Sequence, residues 1–231
     1  MPAGPLLVLT VRTRLLAVAL ALLAGALVAG CGGGSGGSGN NSTTAPTATP
    51  PHLEVNTGPA PWPRPEDAIE RVAAAGLPAF KSEQLFFHVH AHLDVFVDGK
   101  PSVVPAGIGI GGDPNARVGT QNGQAAAGLV GGKCAQPCIS PLHTHDESGV
   151  LHVENDKDRQ INLGQLFTEW GVRFTTDCVG GYCAPDKPYK AYVNGQQFTG
   201  DPSTIVLKNL EEIVLVIGTP PSTIPKAFPT A

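Results

Sequence analysis

The strongest pattern along the chain is the alternation of polar and apolar residues in segment 87–97, FHVHAHLDVFV. In a β-strand, side chains two residues apart point to the same side of the sheet. The segment therefore predicts a strand with an apolar face on the core and a polar face toward solvent or a cleft. The polar face carries His88, His90, His92 and Asp94.

Segment 142–154, LHTHDESGVLHVE, has the pattern of a β-hairpin. A four-residue loop at 146–149 sets the register of its two strands. The cross-strand pairs of this register are His143 with His152 and His145 with Val150. The three histidines then share one face with Glu154. The opposite, apolar face consists of Leu142, Thr144, Leu151 and Val153.

Two segments predict short helices. Segment 65–75, PEDAIERVAAA, has a proline at its start and is followed by Gly76, as is common at helix ends. Segment 162–171, NLGQLFTEWG, begins with a capping box formed by Asn162 and Gln165. Its apolar residues form one stripe, and Gly171 ends it.

The remaining segments predict mostly β-structure. Asp98-Gly99 and Asn194-Gly195 are hairpin turn signals, and 213–217 reads as a buried strand. Residues 106–133 are rich in Gly and Ala without a period, and predict a long loop that is functional or partly mobile. We therefore expect a mainly β (α+β) fold, an antiparallel β-sandwich or small barrel with two short helices.

The N-terminus has the organisation of a secretion signal. Arg12 and Arg14 precede an apolar run at 15–29, which is about 15 residues long, whereas a membrane-spanning helix needs roughly 20. The next residues complete the tetrad Val28-Ala29-Gly30-Cys31, which resembles the lipobox of bacterial lipoproteins. This resemblance implies cleavage before Cys31, lipid such as palmitate on that cysteine, and attachment to the extracytoplasmic face of the cell membrane.

The chain is thus expected to have three parts. Residues 1–30 are a lipoprotein signal peptide, and residues 31–62 are a flexible Gly/Ser/Thr/Pro tether. Residues 63–231 form a single β-rich domain with a short N-terminal helix. Removal of the signal leaves a net charge of −6, and no basic run is present. This composition argues against nucleic acid as a partner.

Four cysteines remain besides Cys31, namely Cys134, Cys138, Cys178 and Cys183. In an exported protein an even number of cysteines indicates disulfides, here two, with three possible connectivities. A thiolate metal site or a redox pair is the alternative, but neither spacing has the two-residue gap typical of those motifs.

The histidines carry the candidate chemistry, because six of the seven lie in the two segments described first. Imidazoles held on rigid strands suit Zn²⁺ or Cu²⁺, and the only methionine is Met1, so soft ligands for Cu⁺ are missing. The predicted core ligands are His143, His145 and His152, and His88, His90 and His92 either join them in one site or form a second site. Carboxylates that could complete the coordination or orient the imidazoles are Asp94, Asp146, Glu147 and Glu154.

Three functions remain open at this point. The first is a lipid-anchored, extracytoplasmic protein that captures or carries Zn²⁺ or Cu²⁺. The second is a metal-dependent hydrolase or redox enzyme at the cell surface, with Glu147 or Glu154 as base. The third is a metal-free interaction module, in which the histidines form only a solvated face. The domain also resembles an uncharacterised family of secreted prokaryotic proteins, a resemblance that implies no particular activity.

Overall fold

The computed structural model describes residues 52–229. These residues belong to one compact unit. The predicted signal peptide, Cys31 and the predicted tether up to residue 51 lie outside the described residues. In the described range, none of the helices has the length and apolar character needed to cross a membrane.

The described residues form a mainly β structure with two α-helices. The helices are α1 (Ala68–Ala74) and α2 (Leu163–Trp170). The first strands are β1 (Phe87–Val97), β2 (Lys100–Ser102), β3 (Ala116–Gln121), β4 (Gln124–Leu129), β5 (Leu142–His143) and β6 (Val150–Asn155). The later strands are β7 (Cys178–Val179), β8 (Tyr182–Cys183), β9 (Tyr189–Val193), β10 (Gln196–Gln197) and β11 (Glu211–Ile217).

One seven-stranded sheet organises the domain, in the order β10-β9-β11-β1-β6-β5, with β2 paired to the end of β1. The sheet is open, so of the two predicted architectures the described part of the chain has the sandwich-like one and no closed barrel. Most pairs are antiparallel, as predicted. The central pair is an exception, because β1 and β11 run parallel, with Leu93 opposite Ile213.

The apolar face of the sheet packs against α2, and this contact forms the core. Alternate residues of β1, β6 and β11 are fully buried there, among them Leu93, Leu151 and Ile213. On the helix side the predicted stripe is buried, and it consists of Leu163, Leu166, Phe167 and Trp170. The capping box of Asn162 and Gln165 is formed, and Gly171 ends the helix in the left-handed conformation, as predicted. The other face of the sheet is thereby left for the histidines.

The prediction of a long loop at 106–133 is wrong. Strands β3 and β4 form a hairpin within it, around a turn at Asn122-Gly123 where both residues have positive φ. These strands lack an apolar alternation, and none of their residues is buried: β3 is mostly exposed and β4 mostly half-buried. The hairpin has a structural role, because Ala127 N–H donates to the carbonyl of His145 (2.6 Å).

This contact also corrects the predicted hairpin at 142–154. Strand β5 is only two residues long, and His143 lies opposite His152 as predicted. The predicted pairing of His145 with Val150 is not formed, since the backbone of His145 bonds to β4 instead. The chain turns back at Gly149, where φ is +87° and a Cβ atom would come within 2.6 Å of the Leu93 carbonyl oxygen.

The N-terminal boundary of the packed structure also differs from the prediction. Helix α1 begins at Ala68, not at Pro65. Residues 52–62 belong to the predicted tether, yet Trp62 is only 1% exposed and Asn56 pairs with Val172. The folded part of the chain therefore begins before residue 63.

Both cysteine pairs form disulfides with their nearest partner, Cys134–Cys138 and Cys178–Cys183. The first bridge holds a loop against the segment that precedes β1. Cys134 N–H donates to the carbonyl of Lys81 (2.8 Å), and Cys138 N–H donates to that of Phe80 (2.7 Å). This loop thus fixes the chain two residues before Glu83.

Candidate metal centre

Three neighbouring strands bring the histidines of both sequence segments onto one face of the sheet. On β1 and β6, His90 lies opposite His152, and on β6 and β5, His152 lies opposite His143. In the next row of the sheet, His88 lies opposite Glu154. Directly opposed side chains have Cβ atoms about 5 Å apart, which suits chelation. The pairing of these strands therefore brings together histidines that are more than 60 positions apart in the sequence.

Four of these side chains form a closed ring of contacts, which we call site A: His88, His90, His152 and Glu154. His88 Nε2 lies 3.0 Å from His90 Nε2, which lies 3.1 Å from His152 Nδ1. Glu154 Oε1 completes the ring at 3.2 Å from both His152 Nδ1 and His88 Nε2. Every pair of these four ligand atoms is within 4.8 Å.

These separations match those around a four-coordinate ion. With metal–ligand bonds of about 2.0–2.1 Å, neighbouring ligand atoms are about 3.3 Å apart in a tetrahedron and about 2.9 Å apart along the edges of a square. The ring of site A lies between these values. Its donor set, three imidazoles and one carboxylate, suits zinc and copper(II).

His143 and His145 lie beside site A, with their Nε2 atoms 3.1 Å apart. The Nδ1–H of His143 donates to the carbonyl of Ser140 (2.9 Å), and that of His145 donates to the carbonyl of Ala127 (2.9 Å). Such bonds fix the tautomer and orient the Nε2 lone pair, as in many histidine metal ligands. Both lone pairs consequently point at the same small volume.

Burial keeps part of the cluster in the form that binds metal. His143 is fully buried, and this burial, together with the nearby His145, lowers its pKa to about 3. Burial and the neighbouring His152 and His88 also lower the pKa of His90. Burial alone would raise the pKa of Glu154, but the hydrogen bond from His152 and the charge of the adjacent imidazoles outweigh it and lower the pKa. Neutral imidazoles and an ionised carboxylate are the states required for coordination.

His92 is not part of this cluster. Its Nδ1 lies 2.9 Å from Glu212 Oε2, and its Nε2 lies 2.7 Å from the carbonyl oxygen of Ser148. Burial would lower the pKa of His92, but the hydrogen bond and charge of Glu212 outweigh it, and the pKa is raised. With an oxygen acceptor at each ring nitrogen, His92 acts as a buried donor. It groups with Asp94 and Glu212 apart from the other histidines.

The predicted acidic residues are distributed unevenly. Glu154 lies inside the cluster, whereas Asp94 lies beside His92. Asp146 bonds to the Ser148 backbone (2.9 Å) and, with Glu147, lines a cavity of about 630 Å³ next to the β3–β4 turn. Glu147 is exposed and belongs to none of the candidate ligand groups found among residues 52–229.

Two residues of this face, Glu83 and Glu212, are not predicted by the sequence. Glu83 Oε1 lies 3.5 Å from His145 Nε2, although Glu83 precedes β1 and belongs to no helix or strand. Glu212 reaches His92 because β11 pairs with β1 in parallel. No local pattern marked either residue, since both are placed by contacts distant in sequence.

Comparison with known proteins adds no function to this geometry. No protein-family model matches the chain, and it has no significant similarity to a curated protein or to a solved structure.

Proposed function

We propose that this protein is a lipid-anchored, extracytoplasmic metal-binding protein that captures or carries Zn²⁺ or Cu²⁺ at site A. The observation that carries the proposal is the closed ring of four ligand atoms, 3.0–3.2 Å apart, contributed by β1 and β6. If these side chains only faced solvent, nothing would require four ligand atoms to lie so close to one common point. A hydrogen bond joins only two of these atoms at a time, whereas one cation would contact all four.

The placement of site A supports reversible capture of a metal. Glu154 has a side chain only 5% exposed, which anchors the site in the sheet. His152 is 21% exposed and His88 is 39% exposed, so an ion can reach the ring from solvent. The ligands stand on paired strands, so little conformational entropy is lost when the ion binds.

The anchoring part of the proposal rests on the sequence. The signal, the lipobox ending at Cys31 and the Gly/Ser-rich stretch that follows support attachment to a membrane surface through a tether. An extracytoplasmic location also agrees with the disulfides, which form and persist in oxidising compartments.

The test is metal binding by the purified full-length protein in detergent. We expect it to retain Zn²⁺ or Cu²⁺ after dialysis, measured by elemental analysis, and to bind added metal in calorimetric titrations. His88→Ala removes one of four ligands at an exposed position, so it should fold normally. It should weaken the affinity at least tenfold, since even changes behind the ligands typically cost about 10–100-fold.

His52→Ala is the matched control, because His52 is also exposed and is distant in sequence from the histidines of β1 and β6. Its ion-pair partner is Glu54. This variant should bind metal as the wild type does. The proposal is wrong if the wild type binds neither ion, or if His88→Ala and His52→Ala have the same affinity.

A further inference from the structure

The contact between His143 and His145 is not explained by site A. Each ring donates its Nδ1–H to a backbone carbonyl, at 2.9 Å in both cases. The two Nε2 atoms, 3.1 Å apart, are therefore both acceptors when the rings are neutral. Two facing lone pairs repel each other unless a proton or a cation lies between them.

A buried carboxylate oxygen points to the same place. Oε1 of Glu154 belongs to site A, whereas its Oε2 is buried and has no hydrogen-bond partner among residues 52–229. Oε2 lies 3.9 Å from His143 Nε2, and the Glu154 side chain is only 5% exposed. An unpaired buried carboxylate oxygen costs free energy comparable to a lost hydrogen bond or more, so it calls for a ligand.

Glu83 supplies a further carboxylate oxygen that could bind an ion beside His145. Its Oε1 lies 3.5 Å from His145 Nε2, and its side chain is 40% exposed. The segment before it is held at Phe80 and Lys81 by the Cys134–Cys138 loop. Glu83 thus stands at the solvent side of the two histidines, where an ion would enter.

We propose that His143, His145, Glu83 and Oε2 of Glu154 form a second metal site, here called site B, and that Glu154 bridges the two ions. This inference rests on the proposed function, because it adds a second ion to the one at site A. The contacts of site B, 3.1, 3.5 and 3.9 Å, are close to the separation of about 3.3 Å expected for a tetrahedral ion. Glu83 lies outside the group of His143, His145, His152 and Glu154 whose ligand atoms are all within 4.8 Å, so its exposed side chain has to turn inward to complete the shell.

Stoichiometry distinguishes this inference from the proposed function. With Zn²⁺ alone as the probe, the full-length protein should bind two ions. The Glu83→Gln variant should bind one Zn²⁺ ion and retain the affinity of site A. Among the described ion pairs, Glu83 contacts no ligand of site A. Glu54→Gln, a similarly exposed glutamate outside the cluster, is the control and should still bind two.

Copper(II) tests the bridge. A carboxylate-bridged pair holds its ions about 3.5–4 Å apart, so two Cu²⁺ ions should give a spin-coupled electron paramagnetic resonance spectrum. Glu83→Gln should convert it to the spectrum of an isolated Cu²⁺ ion. Circular dichroism of each variant verifies folding.

Each negative result contradicts a different part of the two proposals. Binding of one ion by the wild type, unchanged in Glu83→Gln, overturns site B and leaves the proposed function standing. Two ions with uncoupled spectra overturn the bridge, and two ions in Glu83→Gln overturn the assignment of Glu83. Binding of no ion by the wild type overturns the proposed function together with this inference.

Discussion

Acid should destabilise the metal-free protein through His143, and the size of the effect follows from its burial. The pKa of this residue falls from 6.5 to about 3 on folding, because the ring is completely buried. Between these values the unfolded chain binds a proton at His143 that the folded chain does not bind. The stability of the folded state therefore decreases as the pH is lowered through this window.

The magnitude follows from the difference between the two pKa values. From pH 7 to pH 4.5, His143 alone should reduce the free energy of unfolding by about 2.5 kcal/mol, at about 1.36 kcal/mol per pKa unit. This is a large fraction of the stability of a typical domain, which is about 5–15 kcal/mol. Other groups titrate in the same range, so the contribution of His143 must be isolated by substitution.

The assay is urea denaturation in the presence of a chelator at both pH values, followed by the fluorescence of Trp62 and Trp170, which are each 1% exposed. His143→Gln keeps an amide able to donate to the Ser140 carbonyl but does not titrate. The wild type should lose about 2.5 kcal/mol more than this variant between pH 7 and pH 4.5. Equal losses in the two proteins would refute the reasoning.

Two further outcomes are expected. Ser140→Ala removes the hydroxyl that donates to the fully buried Glu169 (2.6 Å), and should reduce the free energy of unfolding by about 1–3 kcal/mol. In denaturation experiments, Thr168→Ala, which removes an exposed hydroxyl from α2, should cost less, and an equal cost would contradict the role of Glu169. Cys31→Ser should abolish palmitate labelling, whereas Ser35→Ala should leave it unchanged. Palmitate labelling of Cys31→Ser as strong as that of the wild type would argue against the lipid anchor.

Some features of the fold could be read from short segments because local physical chemistry specifies them. The alternation in β1 separates histidines from apolar residues on two faces, whichever strands lie beside it. The capping box at Asn162 and the turn at Asn194-Gly195 likewise depend only on neighbouring residues. The same kind of signal is present at Asn122-Gly123, but the strands around it have no apolar period, so the sequence predicts a loop there.

The candidate site was only partly predictable. The opposition of His143 and His152 follows from a short loop and could be predicted, and it places two ligands together. The facing of His90 and His152 could not, because it requires β1 to pair with β6 across about 60 residues. The separation of His92 also depends on a distant contact, since Glu212 arrives on β11.

By itself, the sequence determined which side chains share a face, where helix α2 starts and ends, and which residues have the chemistry to bind a metal. These properties depend on the geometry of a few consecutive residues. The tertiary structure decided which faces meet: it placed β11 parallel to β1, turned His145 toward Ala127, and brought Glu83 to its imidazole. Such pairings depend on how the whole core packs, because loop closure and burial are properties of the complete chain.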